Sequence, residues 1–321
     1  MIRVVHADAI DVGSFVPAES VELAYLDPPF AVGARFTART KDNERRGRET
    51  STNSKNQTLA TPSPVAYDDR WPSLEAYLAW LEPRLVAVRE TLSPAGTMWL
   101  HLDHRAVHEA KLVCDRVFGR AAYIGEVIWV PGNGSKSRRG PGAGHQTLLL
   151  YAKAKDFVWN ASDPSLRAPF ATTSLSMHFK TRDGDGRAYR DRTVNGKTYR
   201  YYADRGRALG SVWTDCPAMV ANTPIHAEGT GYPTQKPLKL LDRILRASSR
   251  PGSLVLDPFF GSGTTLAAAS ACERSAIGLD IGALAVKIAS DRLRAMGVTL
   301  EEPVVVGQTA ASATDRNRTP A

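Results

Sequence analysis

Four aspartates, Asp8, Asp27, Asp257 and Asp280, each stand where a short apolar run gives out, and two of them open a longer pattern. Asp27 begins Asp27-Pro28-Pro29-Phe30. An ionised carboxylate is an acceptor-only group, two prolines fix φ and bring no amide donor, and the phenylalanine offers an apolar ring. Standing alone, the four residues read equally well as a strand stop, because Asp-Pro opens turns. Asp257 begins Asp-Pro-Phe-Phe-Gly-Ser-Gly-Thr, residues 257–264. Gly261 and Gly263 allow a tight turn and close backbone approach to a ligand. Thr264 and Thr265 lead into a helix whose first amides would face that ligand. No lysine follows the second glycine, so an ATP-hydrolysing P-loop is excluded, and the full GxGxxG dinucleotide pattern is missing too. Asp280, 23 residues beyond Asp257, is placed to accept from a ribose diol.

The elements that must position these residues alternate between strand and helix. "IRVVHADAID" and "VELAYL" read as strands, as do "GTMWLHLD", "EVIWV", "QTLLLYAKA", "SLVLD" and "SAIGLD". Between them, "SLEAYLAWLEPRLVAVRETL" has apolar residues at helical spacing, with Pro83 marking a kink or a new start. "HRAVHEAKLVCDRVFG" is an amphipathic helix closed by Gly119, and another helix begins near Pro237. Such alternation implies an α/β fold with a mostly parallel sheet covered on both faces, and ligands of such sheets collect at the carboxyl ends of the strands. The four aspartates therefore belong on one rim. Residues 31–66 are polar, basic and without periodicity, which reads as a mobile loop; the residues from about Gln308 read as a disordered tail.

Composition narrows the partners. The 321 residues are 43% hydrophobic and 23% charged, ordinary for a globular protein. No apolar run nears the roughly 20 residues that span a bilayer, and no signal peptide is evident. Cys114, Cys216 and Cys272 lie far apart with no CxxC, which speaks against a disulfide framework or a zinc site and for a cytoplasmic protein. His6, His101, His104 and His108 form no defensible metal pair. The net charge of +8 is concentrated: residues 131–215 hold 15 Lys/Arg against 7 Asp, the surplus of the whole chain. There the cations alternate with aromatics, as in "HFKTRDGDGRAYRDRTVNGKTYRYY". A solvated face would explain the charge, but cations for phosphates mixed with rings for bases suit nucleic acid.

Asp-Pro-Pro-Phe at 27–30, Thr-Gln-Lys-Pro at 234–237 and Asp-Pro-Phe-Phe-Gly-Ser-Gly-Thr at 257–264, in that order, resemble the amino-group DNA methyltransferases of the permuted beta class. The resemblance covers roughly residues 1–300. It implies a class I methyltransferase fold: a seven-stranded, mostly parallel sheet with one antiparallel strand, helices on both faces and an inserted target-recognition region. The implied division is a catalytic half at 1–130, the end of that half with the recognition region at 131–230, an S-adenosylmethionine half at 231–300 and a tail at 301–321. Asp257, Phe259, Gly261, Gly263 and Thr264 resemble the cofactor turn, Asp280 the ribose acid, and Asp8 the acid near the cofactor adenine. Thr234, Gln235, Lys236 and Pro237 resemble the segment over the methionine end. Asp27, Pro28, Pro29 and Phe30 resemble the catalytic tetrapeptide. The DNA-binding candidates are Lys136, Arg138, Arg139, Lys180, Arg182, Arg187, Arg190, Arg192 and Arg200.

The resemblance implies that Asp27 and the Pro28 carbonyl hold the two hydrogens of an exocyclic amino group, that its lone pair is thereby aimed at the methyl sulfonium, and that Phe30 stacks on the flipped base. Carbon-5 cytosine chemistry would need a cysteine nucleophile, and none of the three is in a catalytic turn. The resemblance further implies that Asp at position 27 favours the 6-amino group of adenine in duplex DNA. The 4-amino group of cytosine is the alternative, a non-catalytic DNA-binding subunit the second, and methylation of RNA or protein glutamine a third. No metal and no membrane partner is expected. The expected location is the cytoplasm, with the nucleoid; a second copy of the chain and a cognate restriction endonuclease are compatible partners.

Overall fold

The computed structural model describes residues 1–39, 63–134, 137–219, 228–301 and 304–305. Lys136 and the tail expected from about Gln308 lie outside them. Strand formation follows the apolar runs closely. The main strands are β1 (Ile2–His6), β2 (Val21–Leu26), β5 (Leu92–Leu102), β6 (Tyr123–Trp129), β7 (Gln146–Ala152), β14 (Leu254–Asp257) and β15 (Ser275–Asp280). Two shorter pairs, β3 (Arg35–Thr37) with β4 (Val65–Asp68) and β8 (Arg167–Ala168) with β12 (Arg207–Ala208), lie apart from them. β9 (Thr181–Arg182), β10 (Ala188–Val194) and β11 (Lys197–Tyr202) form a three-stranded sheet of their own.

The seven main strands run in the order β6-β7-β5-β2-β14-β15-β1. The two-residue strands β13 (Val212–Trp213) and β16 (Val304–Val305) extend the edges to nine. β7 alone is antiparallel, to both β5 and β6; every other pairing is parallel. The fold expected from the sequence is therefore present, with two edge strands added.

Helices cover both faces. α1 (Leu74–Thr91) and α2 (Val107–Phe118) pack on one, and α4 (Leu238–Ser248), α5 (Thr264–Ala271) and α6 (Ala283–Ala295) on the other. A short α3 (Thr172–His178) stands beside the small three-stranded sheet. Ser73 caps α1 by accepting from the Ala76 amide, and Tyr77, Leu81, Leu85 and Val88 form its buried stripe. Pro83 lies inside this one continuous helix rather than starting a second.

All six residues of β2 are buried. Leu23 and Tyr25 face α4–α6, while Ala24 and Leu26 face α1 and α2. Each fully buried leucine of this kind contributes about 2 kcal/mol. The strand is thereby fixed in register, and so is the residue that follows it. β2 and β14 are neighbours although one comes from each half of the chain, which makes the boundary between them the switch point where a crevice opens.

Most of the mobile loop expected at 31–66, residues 40–62, lies outside the described residues. Its described flanks form the antiparallel ribbon β3–β4, joined by a Phe36–Tyr67 ring stack at 4.7 Å. The periodicity was invisible because a three-residue strand and a four-residue strand are too short to show one.

Candidate active site

β2, β14, β15 and β1 are consecutive in the sheet, and a cleft of about 1070 Å³, open mouth included, lies across their carboxyl ends. Asp8, Asp27, Asp257 and Asp280 all line it. Asp27 follows β2 directly. Its Oδ2 accepts a hydrogen bond from Lys236 Nζ at 2.6 Å, and the pair is well buried, with side-chain exposures of 17% and 7%. Its Oδ1 is buried and has no partner among the described residues. An unpaired buried carboxylate oxygen is costly, so its direction into a cleft marks the place where a donor belongs. Burial raises the Asp27 carboxyl above its ordinary value, opposed by the Lys236 ammonium. Lys236 Nζ also lies 4.9 Å from the centroid of the Phe30 ring. The lysine assigned from sequence to the methionine end thus stands between the carboxylate and the ring.

Asp257 and Asp280 occupy the neighbouring strand ends. Asp257 accepts from the Phe259 amide at 3.0 Å. Asp280 accepts from the amides of Gly261 at 2.9 Å and Gly282 at 2.8 Å. Burial dominates both, lifting Asp257 to about 7 and Asp280 to about 6 against those stabilising amides. Each carboxylate keeps lone pairs for a ligand hydroxyl.

The two turn glycines do different work. Gly261, at φ +49°, lines the cleft beneath Tyr232. Gly263, at φ +74°, faces helix α6 instead, where a Cβ would meet Ala289 Cβ at 2.8 Å. Thr264 and Thr265 line the cleft at the start of α5, although Thr264 Oγ1 already accepts from Arg292 at 2.9 Å.

At the far end, Asp8 is held by a forked pair with Arg84, at 2.8 and 2.5 Å, and accepts from the Ile10 amide. The Arg84 guanidinium lies 4.2 Å from the Trp80 ring centroid, and Trp80 stands 5.8 Å from Phe259. Two rings in mutual contact and a satisfied acid line this end of the cleft. In the 234–237 segment, Gln235 bonds within its own loop, its Oε1 to Thr230 and its Nε2 to the Glu228 carbonyl. Thr234 Oγ1 pairs with the Tyr67 hydroxyl at 3.1 Å, and Pro237 caps α4. Tyr67 ties β4 to the rim, with Tyr232 stacked at 6.4 Å.

Sequence reasoning missed Asp69. Fully buried, its carboxylate accepts from the amides of Phe30, Ala31 and Val32 at 3.1, 2.9 and 2.9 Å, and from Trp71 Nε1 at 2.9 Å. Four N–H donors on one carboxylate fix the chain leaving the tetrapeptide, including Ala31 in its left-handed conformation at φ +56°. The only signal was a lone "DDRW" at the edge of a polar stretch. Asp69→Asn is expected to lower turnover about tenfold or more by loosening Phe30, with cofactor affinity nearly unchanged. Calorimetric titration beside steady-state rates would check this; parallel losses in both would make Asp69 a general scaffold residue.

The basic candidates divide. Arg187 pairs with Asp204 and Arg200 with Asp191, each through two bonds of 2.9 Å. Arg138, Arg139, Lys180, Arg182 and Arg192 are exposed, and Arg190 is half-buried. Cys114, Cys216 and Cys272 are free and buried. Among the described residues no cluster of His, Cys, Asp and Glu could hold a metal ion, and no helix is long and apolar enough to cross a membrane.

A family model described as DNA methylase matches residues 21–291. The type II methyltransferase M.EcaI of Enterobacter cloacae is 28% identical over 86% of this chain and 65% of its own length. The chain thus spans just under two thirds of that relative. The DNA adenine methyltransferase YhdJ of Escherichia coli K12 is 27% identical, with 90% of this chain and 82% of the relative covered. Among solved structures, the DNA modification methylase TTHA0409 of Thermus thermophilus, complexed with S-adenosyl-L-methionine, is similar with a TM-score of 0.54 at 19% identity. That likeness covers 96% of this chain and 99% of the other, and it is one of fold.

Proposed function

The chain belongs to the DNA methylase family, and from that premise we propose that it transfers a methyl group from S-adenosylmethionine to the 6-amino group of adenine in duplex DNA. The carrying observation is Asp27 Oδ1, a buried acceptor without a donor among the described residues, in a cleft that Asp257 and Asp280 also line.

The residues present fit the cofactor. Asp280 and Asp257 have lone pairs free for hydroxyl and amine donors, Gly261 brings no side chain to the turn, and the Trp80 and Phe259 rings that line the cleft with Asp8 offer apolar surface to an adenine ring. When bound, S-adenosylmethionine supplies an electrophilic methyl group on a sulfonium.

The chain's own work lies on the acceptor side. An exocyclic amino nitrogen is a poor nucleophile because its lone pair is delocalised into the ring. Asp27 Oδ1 accepts one of its hydrogens and the Pro28 carbonyl the other, which draws the nitrogen towards tetrahedral geometry and frees the lone pair. Burial raises the Asp27 carboxyl above its ordinary value, and the Lys236 ammonium bonded to Oδ2 opposes that rise. Phe30, fixed by Asp69, gives the flipped base a face. Positioning of this kind supplies most of the rate.

Adenine is favoured over cytosine on two grounds. Its larger ring gains more from stacking on Phe30, and the Escherichia coli relative is named an adenine methyltransferase. Duplex DNA treated with the protein and cofactor, then digested to nucleosides for mass spectrometry, is expected to contain 6-methyladenine. Finding 4-methylcytosine without it would assign the other base, and finding neither would make the chain a binding subunit.

A further inference from the structure

The small sheet β9–β11 has two faces of opposite electrical character. Register decides which residues share a face, because residues directly opposite in an antiparallel pair point the same way. Tyr189, Asp191 and Thr193 of β10 stand opposite Tyr202, Arg200 and Thr198 of β11. On that face the charges cancel: Arg200 is bonded twice to Asp191 and lies 3.8 Å from the Tyr189 centroid, and Thr193 bonds Thr198. Arg187, stacked 4.0 Å from Tyr202, closes the same end against Asp204. These contacts hold the hairpin together, for no buried apolar residue lies in β9, β10 or β11.

The other face carries Arg190, Arg192 and Val194 opposite Tyr201, Tyr199 and Lys197, with Arg182 of β9 alongside. It holds no carboxylate. Neither Arg192 nor Lys197 forms an ion pair among the described residues, and both are exposed. Lys197 Nζ lies 5.5 Å from the Tyr199 centroid, and Arg190 lies among Phe170, Phe179 and Tyr201 with its Nε buried and unpartnered. Tyr199, Tyr201 and Val194 are 42%, 36% and 41% exposed.

We infer that this acid-free face, formed by Arg182, Arg190, Arg192, Lys197, Tyr199 and Tyr201, lies against the backbone of duplex DNA beside the target base, while the opposite face only stabilises the hairpin. The inference rests on the proposed reaction. The occupant follows from charge complementarity. Exposed cations without an ion pair among the described residues, Arg192 and Lys197, interleaved with the exposed rings Tyr199 and Tyr201, match a run of phosphates and sugars, and an acidic protein surface would not need the rings. Two of the basic candidates are thereby removed: Arg187 and Arg200 have already spent their charge.

Salt dependence of binding to duplex DNA, read by fluorescence anisotropy, separates the two faces. Arg192→Gln with Lys197→Gln should lower the slope of log affinity against log salt by about 1.8, since each phosphate contact contributes about 0.9. Arg200→Gln with Asp191→Asn removes an internal pair at no change in net charge and should leave the slope as it was. Cofactor affinity should be unchanged in both, which shows that the fold is intact. An unaltered slope in the first variant, in a protein whose parent methylates duplex DNA, overturns the face assignment alone. A slope lowered equally by the second variant overturns it too, as does tighter binding of single-stranded RNA than of duplex by the parent. A parent that methylates no duplex overturns the proposed reaction itself, whatever the variants do.

Discussion

Asp27→Ala is expected to reduce methyl transfer about a thousandfold or more, the scale on which a single preorganised group at a reacting centre acts, while changing cofactor affinity by less than about threefold. The asymmetry comes from topology. Asp27 follows β2, whereas Asp257, Gly261 and Asp280 belong to β14, the turn after it and β15. The substitution removes a buried cleft acceptor that has no donor among the described residues and leaves the hydrogen bonds from Gly261 and Gly282 to Asp280 untouched. It also strands Lys236, which is 7% exposed, and an uncompensated buried charge costs about 3 kcal/mol. Stability and chemistry can therefore be separated. Asp27→Ala with Lys236→Met should recover most of the lost melting temperature and none of the activity. Calorimetry with cofactor, thermal melts and a single-turnover methylation assay provide the three readings. Loss of cofactor binding in step with activity would move Asp27 out of the catalytic role proposed for it and into the cofactor pocket.

What could be read in the chain before any coordinates follows a physical division. β2 and β14 announce themselves because central strands of a covered sheet are continuous apolar runs, and the residues that end them inherit a known place on the rim. Asp27, Asp257 and Asp280 were legible for that reason. The fold was legible too, including its single antiparallel strand, though only through the resemblance, since nothing local in "QTLLLYAKA" states its direction. Pairings between distant residues were not legible. Lys236 meets Asp27 across 209 positions and Arg84 meets Asp8 across 76; each pair is joined only when the sheet brings its elements together. Asp69 is the clearest case. Its four donors come from residues 30–32 and 71, and a lone acid in a polar stretch gives no hint that it will be wholly buried. Charge in the 131–215 segment was legible as a sum but not as a pattern, because strand register decides which arginines meet an aspartate.

Gly261→Val is expected to weaken S-adenosylmethionine binding by about a hundredfold or more, and Gly263→Ala to lower stability with a smaller effect on the cofactor. The two glycines stand two positions apart in the same turn and both have positive φ, +49° and +74°. A side chain there costs about 1–2 kcal/mol of backbone strain at either position. What differs is the space around them. A Cβ on Gly261 would come within 3.0 Å of Tyr232 Cε1, at the wall of the cleft, so a branched side chain fills the volume in which the ligand must approach the backbone. It would also strain the turn whose amide bonds Asp280 at 2.9 Å, disturbing the acid placed for the ribose. A Cβ on Gly263 would instead strike Ala289 of α6 at 2.8 Å, on the side away from the cleft, and force α5 and α6 apart. The first variant should melt within a few degrees of the parent yet titrate weakly with cofactor, and the second should do the reverse. Gly261→Val with undiminished affinity would place the cofactor elsewhere than in the turn between β14 and α5.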